Sequence, residues 1–333
     1  MLRTPLCRAL GIEYPIFSVG FGGGAGPELV AAVSNSGACG VLGGAGKEAA
    51  YLRGEIQRVR TLTRKPFGVN LILAVLKEGQ IEACLEENVP LLVLFWGDPT
   101  PYIPKARDLG TKVFIQVGSV DEAKPAAKAG VDAVIAQGSE AGGHVKGRIA
   151  LSNLLPAVVD AVKPVPVIAA GGIADGRGLV AALNLGAQGV SMGTRFVASH
   201  EAFVPREYKE QVAQSTAEDT VYSALFDGGW RDAPHRTLRN KVVEEWEAAG
   251  RPPSGRRPGE GTVFGTRTRA GVAQDVMRYD AIMLTPEFKG AIDYAPLWAG
   301  ESCSLVNDIK PAAQIVNDII REGEEVIAEL ERT

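Results

Sequence analysis

Short runs of aliphatic and β-branched residues recur along the chain, each followed by a glycine-bearing loop and then a stretch of helical period. Strands buried on both faces by crossover helices read this way, because neither face needs polar residues. Eight such units are present, with strands expected at Tyr14–Gly20, Ala38–Gly43, Phe67–Leu73, Leu91–Trp96, Lys112–Val117, Ala133–Gln137, Val165–Ala170 and Gly189–Gly193. Between them, helices are expected at Glu28–Ser36, Glu122–Ala129 and Leu179–Leu185, each stopped by a following glycine at 37, 130 or 186. Eight alternating repeats favour closure into a (β/α)8 barrel of the α/β class over an open sheet.

After the eighth strand the pattern lengthens and becomes more aromatic, with a Pro/Gly/Arg-rich stretch from Gly250 to Gly261. The expected organisation is a barrel core over 1–198, a helical insertion or lid over 199–300, and a C-terminal segment over 301–333 that returns to the barrel. In that last segment Ile315, Ile319, Val326 and Ile327 fall among charged residues, the pattern of an amphipathic helix.

Composition narrows the function classes. A chain of 333 residues with 22% charged residues and a net charge of −4 offers no broad basic field, and it lacks zinc-finger, helix-turn-helix and RNA-binding signatures, so no nucleic-acid partner is expected. Met1–Phe17 holds no apolar stretch of signal-peptide length and no run approaches a membrane span, so a cytoplasmic location off the membrane is expected. Four cysteines (7, 39, 84, 303) and three histidines (144, 200, 235) lack metal-ligand spacing, so reduced thiols and no metal are expected. Assembly into a homo-oligomer is left open.

The chemistry concentrates at the ends of three barrel strands. AAGGIADGRG (Ala169–Gly178) follows the seventh and MGTRF (Met192–Phe196) the eighth, where barrels of this class bind phosphate. Gly171, Gly172 and Gly193 let backbone N–H groups approach an anion with no Cβ in the way, and Thr194 adds a hydroxyl; tight turning alone is the alternative use of these glycines. The sixth strand ends in AQGSEAGGH, Ala136–His144. Gly142 and Gly143 allow backbone to approach a flat ligand such as an isoalloxazine, and Gln137 offers it a donor and an acceptor. His144 is the candidate general base, against a purely structural role; Glu140 is a helper or a structural acceptor. Asn70 in GVN either bonds its strand neighbours or reaches a cofactor. The basic residues Arg236, Arg239, Lys241, Arg251, Arg256 and Arg257 of the insertion either steer an anion or form a solvated face.

With PFGVN, AQGSEAGGH, PVIAAGGIADGRG and MGTRF present in that order, the chain resembles the nitronate monooxygenase family, formerly the 2-nitropropane dioxygenases. The similarity spans nearly the whole barrel. It implies FMN held by residues matching Asn70, Gln137, Gly142, Gly172 and Met192, Gly193, Thr194 and Arg195, with the first-strand loop Val19, Gly20, Phe21 and Gly22 against the flavin. It also implies a small nitronate or nitroalkane substrate, O₂ as oxidant, and His144 as the group that takes the α-proton or orients the nitronate. One departure is that SVGFGGG (Ser18–Gly24) has no methionine where many relatives place one, and Phe21 stands in that region. The same motifs occur in FMN-dependent enoyl-acyl-carrier-protein reductases and NADH:quinone reductases, so an NAD(P)H-dependent reductase of enoyl thioesters or quinones is the alternative activity. A phosphate-binding barrel without flavin is the alternative from another class.

Overall fold

Residues 2–269 and 272–332 are described by the structure, a computed structural model. Eight parallel strands carry the fold: β1 (Ile16–Ser18), β2 (Gly40–Gly43), β3 (Phe67–Ile72), β4 (Leu91–Phe95), β5 (Lys112–Val117), β6 (Ala133–Gln137), then, past a two-residue strand β7 (Gly143–His144), β8 (Val167–Ala170) and β9 (Gly189–Met192). Their order is β1-β9-β8-β6-β5-β4-β3-β2, and a parallel bridge between Phe17 and Cys39 joins the two ends. Closure is fixed by backbone bonds from Ser18 N to Cys39 O (3.1 Å) and from Cys39 N to Ile16 O (2.9 Å). The Ser18 hydroxyl also accepts from Val41 N at 3.1 Å, which satisfies a polar side chain that is fully buried at the seam. The (β/α)8 barrel read from the sequence is therefore the fold. Its strands start later than expected at Ile16 and Val167, because Pro15 and Pro166 precede them and proline donates no ladder bond.

Inside the barrel, Phe17, Val41, Leu91, Val93, Phe114, Ile135 and Ile168 form one apolar cluster. The first helix, α1 (Pro5–Leu10), caps it by inserting Leu6 and Cys7 at the foot of the strands. The outer ring comprises α2 (Pro27–Asn35), α3 (Ala49–Leu62), α4 (Gln80–Glu86), α5 (Ile103–Asp108), α6 (Val120–Ala129), α7 (Leu151–Val162) and α8 (Gly176–Asn184). Helix α8 begins three residues before the expected start, since the Asp175 carboxylate accepts from Gly178 N (2.9 Å) and outweighs the poor helix propensity of two glycines.

Past β9, a short helix α9 (Thr194–Val197) leads to the insertion. It is not simply helical, as the sequence reading had it. Beside α10 (Arg206–Gln214) and α11 (Lys241–Ala248) it contains β10 (Thr220–Ser223), β11 (His235–Leu238), β12 (Val263–Arg269), β13 (Val272–Met277) and β14 (Lys289–Gly290). β12 and β13 form an antiparallel hairpin edged by β14, whereas β10 and β11 form a three-stranded sheet with β7 of the barrel. The period-two alternation of VFGTRTR is the signal for β12, masked in the sequence by the Pro/Gly/Arg-rich run before it. The chain closes with α12 (Ala312–Leu330), which packs on α8 and α2 through Ile315, Ile319 and Ile320. No helix among the described residues is long and apolar enough to cross a membrane.

Candidate active site

A cavity of about 1370 Å³ opens at the C-terminal ends of the barrel strands and is roofed by the insertion. Its wall includes Val19, Gly20, Phe21, Gly22, Asn70, Gln137, Gly142, Gly143, His144, Gly171, Gly172, Met192, Gly193 and Thr194, so the structure gathers these sequence-derived candidates at one place. Arg195 is the exception. Its buried guanidinium turns away, bonding Asp308 O (2.8 Å) and Ala198 O (3.2 Å) and pairing with the Asp308 carboxylate at 3.0 Å. That side chain ties α9 to the segment before α12 and does not reach the cavity.

At one end of the cavity Gly171 and Gly172 take φ of 100° and 71°, conformations that side chains disfavour. Among the described residues the N–H groups of Gly172 and Gly193 find no acceptor, and two such donors on facing turns make an anion cradle. The Thr194 hydroxyl accepts from Gly300 N at 2.9 Å, leaving its own proton for a ligand. Gly142 answers to a different need: a Cβ there would lie 2.4 Å from the Ala299 carbonyl carbon, so this glycine lets the returning chain pack on the loop.

In the middle of the cavity Gln137 donates from Nε2 to His144 O at 3.0 Å, while its buried Oε1 has no partner. A buried amide oxygen without a donor costs on the order of 1–3 kcal/mol, so a ligand N–H at this point would relieve a real penalty. Asn70, on the cavity wall, donates its amide nitrogen to Val93 O at 3.0 Å. Glu140 is a structural acceptor: both its oxygens accept from Leu151 N at the start of α7 (2.9 and 3.0 Å).

His144 stands in β7, whose partner strand β11 comes from the insertion, with His144 opposite His235. Three tryptophans surround the imidazole, with ring centroids 4.2 Å (Trp230), 5.4 Å (Trp298) and 6.2 Å (Trp96) away. This apolar box, and secondarily His235, push His144 down to about 3, so the ring is neutral at physiological pH. Its Nδ1 is buried without a partner, while the backbone of Ala233 and Pro234 faces the ring and works against the lowering. His235 is committed to structure: Nδ1 donates to Ala233 O (3.0 Å), Nε2 accepts from Phe226 N (3.2 Å), and burial lowers it to about 4. His200 and the buried Cys303 lie outside the cavity wall.

Sequence reasoning missed the roof. Trp230 and Trp298 lie in the insertion, far along the chain from His144, and only the aromatic enrichment of that stretch hinted at them. It also read Arg236 as steering or solvated; the guanidinium instead bonds Ser139 O (2.9 Å), Thr220 Oγ1 (2.9 Å) and the Glu301 carboxylate (2.9 Å). Arg257 pairs with Asp227 at 2.8 Å and lies 4.1 Å over the Tyr279 ring, so it too is a structural cation.

The sequence model described as nitronate monooxygenase matches residues 3–82 and 73–322. The chain belongs to this family. A probable nitronate monooxygenase of Staphylococcus aureus is 34% identical over 289 residues, covering 73% of this chain and 80% of that protein. A (3aS,4S,5R,7aS)-5-hydroxy-7a-methyl-1-oxo-octahydro-1H-indene-4-carboxyl-CoA dehydrogenase of Mycobacterium tuberculosis is 40% identical over 253 residues, covering 75% of this chain and 70% of that protein. Among solved structures, FabK of Thermotoga maritima superposes with a TM-score of 0.81 at 34% identity over 99% of both chains. The nitroalkane oxidase of Streptomyces ansochromogenes superposes with a TM-score of 0.78 at 27% identity over 96% of this chain and 98% of that one. Membership of the nitronate monooxygenase family makes this barrel an oxidoreductase.

Proposed function

We propose that the protein is an FMN-dependent oxidoreductase that oxidises or reduces the carbon–carbon bond next to the carbonyl of a bulky acyl thioester. The observation that carries this reading is the extent of the cavity. At about 1370 Å³ it exceeds the roughly 300–1,000 Å³ common for a single small-molecule site, which leaves room for a cofactor and a substantial substrate together. The 40% identical relative named for a carboxyl-CoA substrate supports the same class.

FMN fits the residues present. Gly172 and Gly193 offer free N–H donors to its phosphate, Thr194 a hydroxyl, and Gln137 an unpaired acceptor to an N–H of its ring, with Asn70 and the loop Val19–Gly22 beside it. Bound FMN would supply the hydride acceptor or donor. In the oxidative direction His144 takes up the proton at the carbon next to the carbonyl: its neutral ring, on the cavity wall, is in the form a base requires. The tryptophans keep water from that proton and hold the ring in place.

Oxidation of a small nitroalkane or nitronate with O₂ is the second reading. The box of Trp96, Trp230 and Trp298 around His144 favours it, because the short alkyl group of such a substrate would pack against these rings. Anaerobic stopped-flow absorbance decides between the two. Holoenzyme is mixed with a saturated acyl-CoA, with ethylnitronate, and with NADH or NADPH followed by an enoyl-CoA. Flavin bleaching by the acyl-CoA, or reoxidation of reduced flavin by the enoyl-CoA, supports the thioester reading; bleaching by ethylnitronate alone refutes it in favour of the second.

A further inference from the structure

The cavity has a second limb that neither His144 nor the phosphate cradle uses. It runs past the first-strand loop, between the first half of α3 and the insertion segment 282–288. The roof of this limb rests directly on the loop, since a Cβ at Gly22 would be 3.4 Å from Met283 and one at Gly23 would be 3.3 Å from Thr285. Across the gap, Tyr51 of α3 is close enough to Glu287 to be influenced by its charge.

The two walls differ in chemistry. On the α3 side Lys47 and Glu55 form an ion pair whose side chains are only 11% and 14% exposed. Burying such a pair has a desolvation cost of several kcal/mol per ion, more than most structural contacts repay, and a cavity wall is an unfavourable place for it unless a ligand uses it. The Lys47 ammonium spends one of its three hydrogens on Glu55 and lies 5.9 Å over the Tyr51 ring, so two donors remain for the cavity. The pair is neutral overall, and Arg58 beyond it is matched by Glu28 at 3.5 Å, so this wall offers hydrogen bonds without net charge. The opposite wall, from the insertion, presents Met283 and Phe288 beside Thr285 and Glu287.

We infer that this limb is a binding groove for the pantetheine arm of the thioester substrate, with Lys47 donating to an amide carbonyl of the arm and its alkyl segments lying on Met283 and Phe288. A pantetheine arm is uncharged, long and narrow, with amide carbonyls separated by methylene pairs and a geminal dimethyl group. Its amides suit the hydrogen-bonding wall of Lys47 and Glu55, and its methylene and dimethyl groups suit Met283 and Phe288 on the wall opposite. The inference rests on the thioester reading above, and it adds which residues hold the part of the substrate remote from the reacting carbon.

The test uses holoenzyme and two readouts. First, free pantetheine, which has no acyl group to oxidise, is titrated while the flavin absorbance is followed. Wild type is expected to bind it, with an affinity about tenfold or more weaker in Lys47→Met, as fits loss of a hydrogen bond from a charged donor. Lys47→Arg is expected to restore part of the affinity. Because Lys47→Met strands Glu55, the double variant Lys47→Met/Glu55→Leu is measured beside it, and the loss is expected in both. Second, KM is compared for one acyl group carried on N-acetylcysteamine, on CoA and on a carrier protein. The ratio of long-arm to short-arm KM is expected to rise about tenfold in Lys47→Met, and whichever long thioester shows the lower wild-type KM names the source of the arm.

Wild type that ignores pantetheine, or a Lys47→Met effect equal for short and long thioesters, overturns the groove. If instead no thioester of any length changes the redox state of the flavin while pantetheine still binds through Lys47, the groove stands and the proposed reaction is what fails.

Discussion

Acidification from pH 7 to pH 5 should destabilise this protein through its two buried histidines, before carboxylate titration contributes. Both nitrogens of His235 are committed to backbone, so a second proton can enter only by breaking the bond from Phe226 N to Nε2. Its folded value of about 4 lies below the ordinary 6.5, so the stability it contributes is complete above 6.5 and is lost as pH falls towards 4. At pH 5 the unfolded imidazole is almost fully protonated and the folded one mostly neutral, which gives a loss of about 2 kcal/mol. His144, at about 3, loses a similar amount over a window that extends one unit lower, so together the pair costs about 4 kcal/mol at pH 5. Glu55 works in the opposite direction, because burial raises it and its protonation is easier in the folded state. Glu260, held at about 2 by Arg257, begins to cost stability only below its ordinary 4.5, so between pH 7 and 5 the histidines carry the loss, offset in part by Glu55. The assay is urea unfolding at both pH values, in wild type and in His235→Asn, with imidazole NMR assigned by the same variant. Wild type is expected to lose about 2 kcal/mol more than the variant over this interval. A His235 resonance that titrates above pH 6 would refute the reasoning, as would equal losses in the two proteins.

Two further outcomes test the site. Gln137→Leu removes the unpaired oxygen and the bond to the His144 carbonyl; FMN affinity measured by fluorescence is expected to fall about 3- to 10-fold, as for one neutral hydrogen bond, and an unchanged affinity would take Gln137 out of the cofactor site. Arg195→Met removes the bonds to Asp308 O and Ala198 O, while Asp308 keeps Lys310 at 2.8 Å; the melting temperature is expected to drop while FMN affinity stays within twofold, and an affinity loss of tenfold or more would restore Arg195 to the cofactor site.

The barrel was legible in the sequence because buried parallel strands leave a local mark. Each of the eight barrel strands is mostly apolar over its own three to six residues and needs no partner to be recognised. Glycine motifs are equally local, so the turns that carry Gly171, Gly172 and Gly193 can be read from the sequence. Arg195 shows the limit of that logic: it sits inside the MGTRF motif, yet its side chain is directed by Asp308, more than a hundred residues later. A motif fixes the backbone turn; the path of a long side chain depends on charges that the fold brings in from elsewhere. The hairpin of β12 and β13 was missed for a related reason, since a two-stranded unit at the edge of an insertion is mostly exposed and lacks the apolar run that marks a barrel strand.

The chemistry of His144 is where sequence and fold meet least visibly. Two glycines precede it, a context that reads as a mobile loop, and a mobile exposed imidazole would titrate near 6.5 and be half-charged in a mildly acidic cell. The structure instead makes the loop one strand of a sheet whose other strands are β10 and β11 of the insertion. Arg236, opposite Gly143 in that sheet, bonds Ser139 O and the Glu301 carboxylate, so the two ends of the loop are held by the insertion and by the chain returning towards α12. Those same segments carry Trp230 and Trp298 to the imidazole. The insertion thus fixes the position of the histidine and, by drying it, fixes its charge. A barrel of this kind with the insertion removed would retain the cradle of Gly172 and Gly193 but would return His144 to water, with its protonation set by the solvent rather than by the fold.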